Sequence, residues 1–237
     1  MSKTIGILGG MGPEATLHFF QLIIRLTKAE TDQEHVPVLI WNNPQIKDRT
    51  GAILRNGPSP LPQLIEGARL LERGGADMIA IPCVTAHFFH EEVQKQVSIP
   101  VFHLVEEAGR YVDTYLPSVR NVGVIATRGT LGSGLFQNVF SRAGRTVLVP
   151  DDRHMEYFRE AVYTDEGIKA GFKKKPKEKM LRIVRYLEEQ GAEAIIAGCS
   201  EIPLVLDDND LDLPFINPLK ILAIESIKSA GYETKTN

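Results

Sequence analysis

"LLERGGADMIAIPCVT" (residues 70–85) and "YLEEQGAEAIIAGCSE" (residues 186–201) decide the fold, because they are one pattern written twice. Leu71 falls on Leu187, Gly75 on Gly191, Ala76 on Ala192, Asp77 on Glu193 and Cys83 on Cys199. The offset is 199 − 83 = 116. In both copies helical spacing ends at a glycine, and an apolar run then leads to a cysteine followed by a small hydroxyl residue, Thr85 or Ser200. Two further segments keep nearly the same offset. "IGILGGMGP" (5–13) matches "VGVIATRGT" (122–130), with Gly6 on Gly123 and an offset of 117. "IPVFH" (99–103) matches "LPFIN" (213–217) at an offset of 114. Three segments in one order mark an internal duplication.

Around the repeat, short β-branched runs alternate with amphipathic stretches. Strands are expected at 4–10, 36–43 and 77–82, and helices at 13–30 and 60–76. Pro13 sits in the first turn of one helix and Gly74-Gly75 stops the other. The strands are continuous apolar runs, as in parallel sheets buried on both faces. The pattern predicts the α/β class: two pseudo-symmetric parallel-sheet α/β domains with the active site in the cleft between them. The expected domains are 1–100 plus about 213–237, and 101–212.

The chain has 237 residues, 43% apolar and 24% charged, an ordinary globular mix. Its net charge of −3 offers no field for nucleic acid or an anionic membrane. No apolar run approaches the ~18–20 residues that span a bilayer. The first residues lack a signal-peptide cleavage pattern, so a cytoplasmic location is expected. The one basic cluster, "FKKKPKEKM" (172–180), reads as a solvated loop running into a helix. Two cysteines are too few for a disulfide framework, and both are expected as free thiols.

A buried cysteine is usually a small hydrophobe, and two core cysteines inherited by duplication would look the same. Yet Cys83 and Cys199 each follow a buried strand, and ligands of open parallel sheets bind beyond the strands' carboxyl ends. Two facing halves would then set two thiols across one cleft. One thiol removes a proton from a stereocentre and the other returns one to the opposite face, which is racemisation or epimerisation. A thiol is a workable acid and base near neutrality once its surroundings help, and helix N-termini following each cysteine would do so. Near-attack geometry asks for sulfurs about 7 Å apart.

Other motifs compete. "GMGPEA" (10–15) fits a G-x-G-x-x-A dinucleotide fingerprint, but Pro13 sits where pyrophosphate should approach, and the second strand ends in Asn42-Asn43 without an acidic residue. The alternative is a turn at Met11 and Gly12 whose backbone N–H groups hold a carboxylate. In "WNNPQIKDRT" (41–50), Asn43, Gln45 and Arg49 are polar groups in a loop beyond the second strand. Arg49 offers a fork matched to a carboxylate, unless it pairs with Asp48 or a glutamate at the surface. Cys83, His87 and His90 could suggest zinc, but C-x-x-C is absent. A Cys83–His87 hydrolase pair would leave Cys199 idle.

"GILGGMGPEAT", "NNPQIKDRT", "IPCVTAH" and "AGCSEIPL" resemble the signatures of the aspartate/glutamate racemase family, closest to its aspartate racemase branch. The resemblance runs over nearly the whole chain. It implies an isomerase of two α/β domains that needs no pyridoxal phosphate or other cofactor and no metal. It also implies a homodimer and a small acidic amino acid as substrate. Cys83 and Cys199 match the family's acid/base pair, with Cys83 serving the D-form and Cys199 the L-form. Arg49 matches the arginine that binds the distal carboxylate, and Lys169 in "EGIKAG" a second carboxylate contact. Thr85, Thr127 and Thr130 match donors to the α-carboxylate, and Ser200 and Glu201 complete the second cysteine motif. Val84 stands where the family usually has asparagine, Lys47 where proline is common, and Asn217 where aspartate is common. The expected substrate is aspartate, then glutamate. The alternatives are racemisation of another amino acid, a maleate isomerase or decarboxylase-like two-cysteine enzyme, and a non-catalytic ligand-binding relative.

Overall fold

The computed structural model describes residues 2–235. The chain forms two compact units. One takes the residues up to Glu107 together with those from Leu219 onward, and the other is Ala108–Pro218. The chain passes between the units after Glu107, within one helix, and after Pro218, at the start of another.

The first unit holds strands β1 (Ile5–Gly9), β2 (Val38–Asn42) and β3 (Met78–Ala80) in the order β2-β1-β3. All pairs are parallel, and Val101 adds a parallel bridge to Ile79. Its helices are α1 (Pro13–Leu26), α2 (Arg49–Arg55), α3 (Leu61–Arg73) and α4 (His90–Gln94). Helix α5 (Leu104–Tyr115) leads into the second unit. There β4 (Asn121–Ala126), β5 (Thr146–Leu148), β6 (Ala194–Gly198) and β7 (Phe215–Ile216) form a parallel sheet of order β5-β4-β6-β7. Helices α6 (Arg128–Gly132), α7 (Leu135–Ser141), α8 (Asp152–Tyr163) and α9 (Lys174–Glu189) belong to this unit. Helix α10 (Pro218–Ser229) returns to the first.

The duplication is physical. A Cβ on Gly6 would lie 2.9 Å from the Ala76 Cβ and 3.3 Å from the Leu71 Cβ. A Cβ on Gly123 would lie 3.2 Å from the Cβ atoms of both Ala192 and Leu187. Both glycines let a helix, α3 over Gly6 and α9 over Gly123, lie close on the central strand. Gly75 (φ 94°) and Gly191 (φ 90°) end α3 and α9 in the left-handed region, and Ala76 and Ala192 then donate back to Leu71 and Leu187. The Asp77 carboxylate accepts from the Thr4 amide at 2.7 Å, and Glu193 accepts from the Asn121 amide at 2.9 Å. Val101 stands beside β3 as β7 stands beside β6.

Helix α3 buries Leu64, Ala68 and Leu71, and α9 buries Met180, Ile183, Val184 and Leu187. Strands β1, β3 and β6 are buried throughout, but β2 is an edge strand and only partly covered. The helix expected over 13–30 stops at Leu26. Thr27 turns extended there, and Lys28 donates to the Glu233 carbonyl at 2.9 Å. The basic stretch expected to open as a loop is helical from Lys174. Among the described residues no helix is long and apolar enough to cross a membrane.

Candidate active site

Parallel pairing brings the carboxyl ends of β1, β2 and β3 to one edge of the first sheet, where the candidate residues of this unit sit. Gly10 (φ 99°) passes so close to the next loop that a Cβ would lie 2.3 Å from the Asn43 carbonyl oxygen. Only glycine fits there. The Thr16 hydroxyl accepts from the Gly10 amide at 2.9 Å and donates to the Gly12 carbonyl at 3.0 Å, which fixes the turn. Gly12 is the N-cap of α1 and has no side chain to cap the first turn. The Met11 side chain is buried in the same apolar cluster as Cys83.

In the next loop, the Asn43 side-chain oxygen accepts from the Gln45 amide at 2.9 Å. Asp48 caps α2 by accepting from the Thr50 and Gly51 amides at 3.1 and 2.8 Å. That commitment leaves Arg49 without the surface pairing weighed above. Its Nη1 donates to the carbonyls of Ile46 and Lys47 at 3.2 and 3.0 Å, its buried Nε has no partner, and no carboxylate meets it among the described residues. Backbone carbonyls aim the guanidinium without neutralising it. Helix α2 packs against the segment after Cys83. Cys83 is buried in one apolar cluster with Met11 and Ile46.

Val84–Phe89 is a 3₁₀ segment with Cys83 at its N-cap, not the α-helix N-terminus expected. Val84 and Thr85 are buried. His87 Nδ1 lies 2.9 Å from the Cys83 carbonyl. A carbonyl only accepts, so Nδ1 carries the proton and the ring anchors the turn through the backbone. The imidazole therefore holds the backbone carbonyl of Cys83 rather than its thiol. Burial pushes His87 down to about 3, with His103 and His90 adding to the effect and the Cys83 and Phe102 backbone opposing it. The His87 and His103 rings lie 5.3 Å apart, and His103 and His90 4.7 Å apart. His103 gave no sequence signal, because its role comes only from folding beside the other two.

In the second unit, Ala126 pairs with Gly198 across β4 and β6, so Thr127 and Cys199 are the next residues beyond adjacent strand ends. Thr127 is the N-cap of α6, and its hydroxyl oxygen accepts from the Thr130 amide at 3.1 Å. The two buried hydroxyls are 3.1 Å apart. A 3₁₀ turn, Ile202–Leu204, follows Cys199 where an α-helix was expected. Glu201 organises this end. Its Oε2 accepts from Cys199 Sγ at 2.9 Å and from Ser200 Oγ at 3.1 Å, and its Oε1 is 2.8 Å from Lys169 Nζ. The Glu201 side chain is 6% exposed and that of Lys169 37%. A carboxylate withdrawn this far from water needs such partners. Lys169 also lies 5.7 Å from the centre of the Tyr163 ring.

The family model described as Asp/Glu/Hydantoin racemase matches residues 8–225. The broad specificity amino-acid racemase RacX of Bacillus subtilis is 29% identical over 232 residues, covering 95% of this chain and 97% of its own. Picrophilus torridus aspartate racemase superposes with a TM-score of 0.87 at 27% identity, covering 98% of this chain and 96% of its own. PH1733, an aspartate racemase homologue from Pyrococcus horikoshii, gives a TM-score of 0.77 at 26% identity, covering 98% and 100%.

Proposed function

Because the chain belongs to the Asp/Glu/Hydantoin racemase family, we propose that it interconverts the L and D forms of an acidic amino acid, aspartate before glutamate. Cys83 and Cys199 act as the acid/base pair, without pyridoxal phosphate. The observation that carries this reading is the matched placement of the two thiols. They are the chain's two cysteines, at equivalent positions of the duplication, Cys83 three residues beyond the end of β3 and Cys199 directly beyond the end of β6.

One thiolate takes the α-proton, so the Cα–H bond breaks and an S–H bond forms. The other thiol gives its proton to the opposite face of the same carbon. The charge that develops on the α-carboxylate is met by fixed donors: Thr85, Thr127, Thr130 and the backbone at Met11 and Gly12. Arg49 takes the distal carboxylate through its uncommitted edge. Lys169, paired with Glu201 and partly exposed, supplies a second contact. Asn43 and Gln45 shape the loop that carries Arg49.

A wider substrate range is favoured by Val84, a buried apolar residue beside Cys83, and by the name of the Bacillus subtilis relative. The purified protein in D2O separates the readings. Exchange of the α-proton of L-aspartate with growth of the D-form supports the first. Equal exchange with neutral amino acids supports the second, and no exchange with any amino acid refutes both. Cys83→Ser and Cys199→Ser should each abolish turnover.

A further inference from the structure

The two thiols share a place in the fold but not an environment. Cys199 Sγ lies 2.9 Å from a buried carboxylate oxygen of Glu201. Among the described residues Cys83 has no carboxylate partner. It sits in an apolar cluster, on a turn anchored by a histidine that stays neutral. Ionising Cys199 would set two negative charges about one hydrogen-bond length apart, out of water, where repulsion is strong. The Lys169 ammonium sits on the other oxygen of Glu201 and is partly exposed, so it balances the carboxylate more than it relieves the sulfur.

We propose that Glu201 is a positioning residue that keeps the proton on Cys199, so that Cys199 enters the reaction as the acid and leaves the role of base to Cys83. The inference rests on the two-thiol reading above for its consequence, but not for its test. In the first half-reaction the substrate's α-proton passes to the Cys83 thiolate while the Cys199 S–H proton passes to carbon. Turnover leaves Cys83 protonated and Cys199 ionised beside Glu201, and exchange with water restores the starting state. The enantiomer whose α-hydrogen faces Cys83 therefore meets a ready protein. Its mirror image waits for the rarer form. The two directions differ in KM and kcat, while kcat/KM stays equal because a racemisation has an equilibrium constant of unity.

The test uses no substrate. In Cys83→Ser protein, Cys199 is the one remaining thiol, and thiolate absorbance in the far ultraviolet titrates it alone. A Cys83→Ser, Cys199→Ser protein supplies the tyrosine background. Adding Glu201→Gln to Cys83→Ser should lower the midpoint of thiolate formation by about one pH unit or more. Adding Lys169→Met, which removes the balancing ammonium, should raise it. A midpoint that Glu201→Gln leaves in place or raises overturns the proposal. If that protein does not fold, Lys169→Met decides alone: a midpoint unmoved or lowered overturns it. With both cysteines present, Glu201→Gln should bring the KM values of the two enantiomers together. Shifted midpoints in a protein that racemises nothing refute the function but not the role of Glu201. Fixed midpoints in an active racemase refute the role of Glu201 alone.

Discussion

His87 offers a quantitative check on how the first thiol is held. Its ring is wholly buried, and its folded value is about 3 against an ordinary 6.5. The unfolded chain therefore takes up a proton below about pH 6.5 that the folded protein refuses until about pH 3. The stability this neutral ring contributes is complete above about pH 6.5 and is lost as pH falls toward 3. From the two values, the loss between about pH 7.5 and about pH 5 is about 2 kcal/mol, and it approaches about 5 kcal/mol below pH 3. His87→Gln keeps a donor for the Cys83 carbonyl and removes the titration. Trp41, the chain's one tryptophan, lies in β2 of the same unit, so its fluorescence reports urea unfolding where His87 acts. Wild type should lose about 2 kcal/mol more than His87→Gln over that pH interval. Parallel pH profiles would refute the buried neutral ring.

Two further outcomes follow from the geometry. Gly123→Ala puts a methyl 2.9 Å from the Ile195 Cδ1 and 3.2 Å from two Cβ atoms, and thermal or urea unfolding should show a loss of about 1–3 kcal/mol. Arg49→Lys keeps the charge but loses the planar fork, so steady-state kinetics should show KM for aspartate raised roughly tenfold or more. An unchanged KM removes Arg49 from the distal contact.

The fold was legible because a duplication repeats its own constraints. Gly6 and Gly123 each need a bare strand under a helix, and Gly75 and Gly191 each need a left-handed cap. These are local demands, and they leave the same letters at the same offset. The parallel class followed from strands with no polar alternation, and the resemblance to racemases from four short motifs. What stayed hidden depends on contacts between distant positions. Nothing near Glu201 in sequence points to Lys169, and only folding closes their ion pair at 2.8 Å. His87 was visible as a histidine four residues past Cys83, yet its hold on the carbonyl rather than the sulfur depends on the 3₁₀ turn between them. The turn types after both cysteines were misread for the same reason. A few apolar residues after a strand do not distinguish a 3₁₀ segment from the first turn of an α-helix.

The chain path has a consequence for synthesis. The second unit is one uninterrupted stretch, whereas the first is finished by residues from Leu219 onward. Those residues supply the buried Leu222, Ala223 and Ile227 of α10, and they close backbone bonds from Lys3 to Ala230, Lys28 to Glu233 and Lys235 to Leu26. On a ribosome the earlier-made unit is therefore the later to close. The segment that bears Cys83 waits, incompletely covered, while the segment that bears Cys199 already has all of its own chain. Order of synthesis and order of completion run in opposite directions in this protein.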